Sequence, residues 1–241
     1  MPDTVALIQA RMSSSRLPGK VLADLGGLPM ICFMAERVRR APGIDLVAVL
    51  TSDDPSDDPL AAAAEARGVP VVRGPLNDVL ARYVVGADAF DARTILRLTG
   101  DCPLIDPALI AQVVALHRSA GVDYASNVDP PGFADGMDTE CFTRDLLDRA
   151  NRLAVSQPER EHVTLWMRSP ESGASRANLT AAAPASHLRL TVDYPDDLAL
   201  VRRIVAALGN ECDYFDILRL LQCDAGLLDA NPHERNEALK S

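Results

Sequence analysis

The stretch Val5-Ala6-Leu7-Ile8-Gln9-Ala10-Arg11-Met12-Ser13-Ser14-Ser15-Arg16-Leu17-Pro18-Gly19-Lys20 decides the fold. Its first four residues are apolar, long enough for one buried strand. The strand breaks into a loop that holds three serines, a glycine and the cations Arg11, Arg16 and Lys20. Hydroxyls and free backbone N–H groups in such a loop can cradle phosphate oxygens. Against a polyphosphate, Arg supplies a planar fork and Lys a point charge. The chain carries a formal net charge of −10, so this cationic cluster runs against its background. A solvated basic loop is the plainer alternative, since charge runs are usually surface. Position favours a ligand site, because ligands of open α/β sheets sit where strands end.

Outward from this stretch, strand and helix signals alternate. Pro29 suits a first helical position and opens a helix over 30–40, with Met30, Ile31, Met34 and Val38 on one face. Residues 46–50 read as a strand, 59–67 as an alanine-rich helix stopped by Gly68, and 69–72 as a third strand. Asn77 caps a helix to about 90, 94–98 is a strand, and 99–106 is a loop. Asp106-Pro107 opens the next helix, which ends near Gly121. Such alternation predicts a parallel sheet covered on both faces, a doubly wound α/β fold. The regularity fails after Tyr124. Pro130-Pro131-Gly132 and Gly136 mark 127–137 as loop, 138–142 reads as an edge strand, and Thr143 and Ser156 cap helices to 153 and 168. A short strand is expected at 177–181 and a buried one at 188–192. Helices follow over 196–208 and on to Cys223, with a loose tail beyond. Residues 1–241 thus form a single domain, within which 127–186 is a small α+β excursion.

Composition excludes several classes. With 48% hydrophobic residues the chain can bury a full core. No apolar run reaches the roughly 18 residues of a membrane span. Met1-Pro2-Asp3-Thr4 runs straight into a strand, without a signal-peptide pattern. The cysteines Cys32, Cys102, Cys141, Cys212 and Cys223 are scattered and form no C-x-x-C, which predicts reduced thiols, a cytoplasmic location and no zinc site. The acidic balance argues against nonspecific nucleic-acid binding. His117, His187 and His233 show no partner spacing, and no Ser-His-Asp or Cys-His constellation stands out.

Two aspartates suit metal chemistry. Asp101 follows one predicted strand in Thr99-Gly100-Asp101-Cys102, and Asp193 follows another in Val192-Asp193-Tyr194-Pro195. If both strands run parallel to the first, both acids lie on the edge that carries the cationic loop. Mg2+ takes one or two carboxylates, with phosphate oxygens and waters completing its shell. A turn role for Asp101 and a cap role for Asp193 are the alternatives. Asp196 and Asp197 read as helix-start acids.

The segment IQARMSSSRLPGKVLADLGGLPM, residues 8–30, resembles the start of the sugar-nucleotide cytidylyltransferases. The likeness is greatest to the branch named after spore-coat polysaccharide biosynthesis protein F, with CMP-Kdo and CMP-sialic acid synthetases more distant. Its A-R-x-x-S-x-R-L-P-G-K pattern is neither a Walker loop nor a Rossmann fingerprint. The resemblance implies the nucleotide-diphospho-sugar transferase (GT-A-like) form of the doubly wound fold, and a homodimer. It implies CTP binding through Gln9, Ala10, Arg11, Met12, Ser13, Arg16 and Lys20, with Arg73, Asp78, Thr99 and Gly100 also on the nucleotide. Strand-end Arg and helix-start Asp remain alternatives for Arg73 and Asp78. Thr99 stands where the CMP-Kdo branch has a glutamine. Mg2+ is implied on Asp101 and Asp193, with Arg11, Lys20 and Asp101 catalytic. Asn127, Asp138, Glu140, Arg160 and His162 would meet a sugar or sugar acid, Arg160 its carboxylate. The implied reaction is attack of an anomeric hydroxyl on the α-phosphate of CTP with loss of pyrophosphate, serving polysaccharide synthesis. No nucleic acid or membrane partner is implied. Lys20, at a loop end, is expected to lie outside the core. Two other readings stand: a GT-A glycosyltransferase, although Thr99-Gly100-Asp101 offers one acid where D-x-D would offer two, and a non-catalytic nucleotide-binding partner.

Overall fold

The computed structural model describes residues 3–227. The chain runs β1 (Thr4–Gln9), β2 (Asp24–Leu25), β3 (Leu28–Pro29), α1 (Met30–Arg39), β4 (Leu46–Ser52), α2 (Asp58–Glu65), β5 (Val71–Gly74) and α3 (Val79–Ala89). It continues through β6 (Thr94–Thr99), α4 (Pro107–Ala120), β7 (Tyr124–Ser126), β8 (Glu140–Thr143), α5 (Arg144–Leu153), α6 (Gln157–His162) and α7 (Leu165–Arg168). It closes with β9 (Arg176–Asn178), α8 (Pro195–Leu208) and α9 (Tyr214–Cys223). Seven strands form one sheet in the order β5-β4-β1-β6-β8-β7-β9. β1 pairs in parallel with β4 on one side and β6 on the other. It can sit there because both its faces are apolar. Ala6 and Ile8 pack with α1, α2 and α4, while Val5 and Leu7 pack with α3 and α5. A strand covered on both faces needs such an unbroken apolar run. This is the expected α/β architecture.

Helix α1 is buried on two sides. Ile31, Met34 and Val38 face the sheet, whereas Met30 joins Phe33 against α8 and α9. Met30 therefore leaves the face predicted for it. The cap of α3 is Asp78 rather than Asn77, its Oδ1 accepting from the Ala81 N–H at 2.9 Å. The predicted edge strand is β8, and it lies inside the sheet, antiparallel to both β6 and β7. With β9 added beyond β7, the segment 127–186 gives two strands back to the sheet instead of leaving it. The predicted 156–168 helix breaks at Val163, which sits at φ 58, a costly conformation for a β-branched residue.

Residues 188–192 do not join the sheet. They make one isolated bridge, Asp135 to Arg189. Loop backbone satisfies them instead: Leu190 N–H donates to Asp135 O at 2.7 Å and Val192 N–H to Asp101 O at 2.8 Å. All five cysteines are free thiols. Among the described residues no helix is long and apolar enough to cross a membrane. The tail beyond residue 227, with His233, lies outside the described residues.

Arg37 of α1 ties the C-terminal helices to the sheet. Its side chain is fully buried, and it donates to the carbonyls of Leu104, Ile105, Asn210 and Cys212. A guanidinium pairs these carbonyls with five N–H groups, and a methionine pairs none. Arg37→Met should therefore lower stability by at least about 3 kcal/mol, read as a lower urea midpoint at unchanged m-value. An unshifted midpoint would show that the four carbonyls do not depend on it.

Candidate active site

The cationic loop is tightly folded. Met12 O accepts from the N–H groups of Ser14 and Gly19, each at 2.9 Å, and Met12 N–H donates to Asp57 Oδ1 at 2.7 Å. The loop ends in a 3-10 turn over Lys20–Leu22 that carries Lys20 inward, to 9% exposure. Lys20 is thus a buried residue, contrary to its expected place outside the core. Its ammonium donates to Val192 O at 2.6 Å and Asp193 Oδ1 at 2.9 Å, and lies 3.7 Å from Asp101 Oδ2. The two aspartates predicted for the metal therefore do converge, although no sheet strand delivers Asp193.

Local packing fixes each partner. Gly100 N–H donates to Gln9 O at 2.8 Å, and a Cβ there would come within 2.9 Å of Ala10 Cβ and 3.0 Å of Gln9 O. Glycine is what lets the loop after β6 close onto β1 and deliver Asp101. Asp197 accepts from the N–H groups of Asp193 and Tyr194 at 2.7 and 2.8 Å, a helix-start role as expected. Arg189 fans out to Asp193 at 2.6 Å, Asp135 at 3.1 Å and Asp197 at 3.3 Å. Burial raises the Asp193 carboxyl, but Lys20 and then Arg189 outweigh it and hold the carboxyl below its ordinary value. Arg16 lies 3.4 Å from Asp193 Oδ2 and stacks 5.2 Å above the Tyr194 ring.

Two cavities meet here. The smaller, about 350 Å³, is lined by Gln9, Ala10, Arg11, Arg16, Lys20 and Gly100 among others. The larger, about 830 Å³, runs toward Asp138, Glu140 and the α6–α7 segment. Gln9, Thr99, Asp101, His162 and Asp193 belong to both. Met12 and Ser13 line neither, and Met12 serves the loop through its backbone.

In the larger cavity Arg97 on β6 stands opposite Glu140 on β8 and forms a buried ion pair with it. The Tyr124 and Thr164 hydroxyls each donate to Glu140 Oε1 at 2.6 Å. Burial pushes Glu140 up, but Arg97 leads the groups that bring it below the ordinary carboxylate value. Four residues lining this cavity carry a buried polar atom with no hydrogen-bond partner among the described residues: Gln9 Oε1, Arg97 Nε, Arg168 Nε and Thr191 Oγ1.

Four more predicted residues, Arg73, Asp78, Asn127 and Arg160, also line neither cavity. Arg160 is held by Asp78, with three N–O distances of 2.6 to 3.0 Å, and by Asn151, so its guanidinium locks α6 to the start of α3. Asn127 closes its own loop, Nδ2 donating to Met137 O at 2.7 Å and Oδ1 accepting from Thr139 N–H at 2.8 Å. Arg73 donates to Asp58 and Ser52 O. Arg97, Arg168, Arg189 and Thr191 were missed. The signal for two of them was present, since Leu188-Arg189-Leu190-Thr191-Val192 sets a polar residue at every second place. As a metal donor set, Asp101 and Asp193 offer hard carboxylate oxygens about one small cation, as Mg2+ prefers. Among the described residues no three His, Cys, Asp or Glu side chains gather to hold a metal by themselves.

Removing Arg97 would strand Glu140. Arg97→Met should cost about 3–5 kcal/mol at pH 7. In the wild type the depressed Glu140 stabilises the fold above its unfolded value, and that contribution fades as pH falls through the lower folded value. In the variant the largest influence opposing burial is gone, with only Arg168, Thr164 and Tyr124 left to favour the carboxylate, so the folded value rises and the penalty should shrink between pH 7 and pH 5. Urea unfolding of both proteins at the two pH values checks this, and a penalty that grows on acidification would contradict it.

A family model described as cytidylyltransferase matches residues 5–180. Spore coat polysaccharide biosynthesis protein SpsF of Bacillus subtilis (strain 168) is 34% identical over 221 residues, 88% of this chain and 90% of that protein. The 3-deoxy-manno-octulosonate cytidylyltransferase of Anaeromyxobacter sp. (strain K) is 29% identical, over 86% of this chain and 99% of its own. A cytidylyltransferase structure from Leptospira borgpetersenii serovar Hardjo-bovis (strain JB197) superposes with a TM-score of 0.91 at 30% identity, covering 98% of this chain and all of the other.

Proposed function

The chain belongs to the cytidylyltransferase family, and on that premise we propose that it activates a sugar or sugar acid with CTP in the cytoplasm. The products are pyrophosphate and a CMP-sugar for cell-surface polysaccharide or a related glycoconjugate. One observation carries this: a cation-lined cavity and a larger cavity that reaches Asp138, Glu140 and Arg168 share the wall made by Gln9, Thr99, Asp101, His162 and Asp193. A triphosphate in the first and a sugar in the second would meet at that wall.

Arg11, Arg16 and Lys20 neutralise the charge that grows on the leaving pyrophosphate. The shared wall aligns the anomeric hydroxyl with the α-phosphate, and fixing two reactants in line removes much of the entropic barrier. Magnesium, bound by Asp101 and Asp193, would supply charge neutralisation at the phosphates. The unpartnered polar atoms of the larger cavity suit the hydroxyls of a sugar. With Arg160 tied to Asp78, Arg168 is the arginine assigned to an acceptor carboxylate. The homodimer that the resemblance implies belongs to this proposal.

A panel of 3-deoxy-ulosonic, nonulosonic and simple sugars, each with CTP and read by pyrophosphate release, should yield one acceptor class. Replacing CTP by UTP should lower kcat/KM by at least about 100-fold, because a wrong base leaves buried polar groups unpaired. Equal use of UTP would point to a uridylyltransferase, and release of a nucleoside diphosphate from a nucleotide sugar to a glycosyltransferase.

Asp101→Asn and Asp193→Asn should each raise the magnesium requirement and slow turnover. Their effects should not add in the double variant, since both act on one ion. Thermal melts run alongside separate lost chemistry from lost Lys20 pairing. A wild-type magnesium curve for Asp193→Asn would remove it from the metal.

A further inference from the structure

The chain has two lysines, Lys20 and Lys240, among its 24 basic residues. At the one cationic position buried between the two carboxylates it carries lysine rather than arginine. An ammonium is a compact charge on a flexible stem, whereas a guanidinium is a broad planar fork. The Lys20 ammonium faces Val192 O, Asp193 Oδ1 and Asp101 Oδ2, at 2.6, 2.9 and 3.7 Å. Arg189 and Arg16 approach Asp193 through its other oxygen, Oδ2. Lys20 therefore covers the oxygens that the proposed reaction assigns to a divalent cation. Two cations cannot hold these oxygens together, because like charges repel at contact distance, the more so beside partly buried carboxylates.

We propose that Lys20 is a tethered stand-in for the metal, which makes metal binding conditional on nucleotide. In the free protein its ammonium neutralises Asp101 and Asp193. Lys20 also lines the smaller cavity, so a triphosphate seated there draws the ammonium onto phosphate oxygens by a swing of its stem. Asp193 Oδ1 and Asp101 Oδ2 are then released to the metal, and the phosphates add further oxygens. By linkage, metal and nucleotide raise each other's affinity by one common factor. This coupling rests on the reading that the smaller cavity takes CTP.

The test is Mn2+ binding to nucleotide-free protein, followed by the electron paramagnetic resonance of the free ion. Lys20→Met should bind Mn2+ at least about tenfold more tightly than wild type. The double variant Lys20→Met/Asp193→Asn should lose that gain. Equal Mn2+ affinity in wild type and a folded Lys20→Met overturns the proposal. Should Lys20→Met lack a cooperative melt, the wild type decides. Protein labelled with [13Cε]lysine gives two side-chain resonances. Mn2+ alone should leave that of Lys20 sharp, and metal-free CTP should shift it. Broadening by substoichiometric Mn2+ alone overturns the proposal, as does CTP that binds calorimetrically without shifting Lys20. If CTP does not bind at all, the nucleotide reading itself fails, and the coupling fails with it.

Discussion

Lys20 carries its charge to a place where 9% of the residue meets solvent, and it can stay there because Asp101 and Asp193 are brought to it. Taking an ion out of water costs several kcal/mol unless charge and hydrogen bonds compensate. Three separate segments must therefore converge: the loop after β1, the loop after β6 and the chain before α8. Each has its own means of arriving. The first is anchored through Met12 on Asp57, the second approaches over Gly100, and the third is pinned by Asp197 at the start of α8.

The same logic extends outward through Arg189, which is 6% exposed and holds Asp135, Asp193 and Asp197 at once. Asp193 thus answers to cations on both its oxygens, and its carboxyl stays ionised despite burial. Across the larger cavity the Arg97–Glu140 pair does for β6 and β8 what Lys20 does for the loops. A wall built from satisfied charges cannot slide to close a gap, because every displacement would leave a buried ion unpaired. Ion pairs thus border the cavity, while the apolar layers around the sheet hold the frame.

Much of the fold was legible in the amino-acid order. An apolar run at Val5–Ile8, helices announced by Asp106 and Thr143, and a glycine after α4 all act through neighbours in sequence, and each appears where it was read, whereas Pro29, read as a first helical residue, is the extended N-cap of α1 and ends β3. The cationic loop and the two aspartates were legible for the same reason: side-chain type against position in a strand–loop pattern. Asn77 lost the cap to Asp78 by one residue, and both types cap well, so sequence could not separate them.

What the tertiary structure alone decided are contacts between distant segments. β8 became an interior strand because β7 and β9 pair beyond it, a fact absent from its own residues. Arg160 looked free for a substrate until Asp78, at the start of another helix, took its guanidinium. Residues 188–192 read as a strand, and nothing in them says that Asp135 and Asp101 rather than the sheet satisfy their backbone. Lys20 lies 172 residues from Val192, and no local pattern says that its ammonium faces inward. Most helices, the parallel strands of the sheet and the charged side chains were readable residue by residue, because they follow from short-range sterics and chemistry. Which charges meet is a property of long-range packing, and it exists only once the chain has folded.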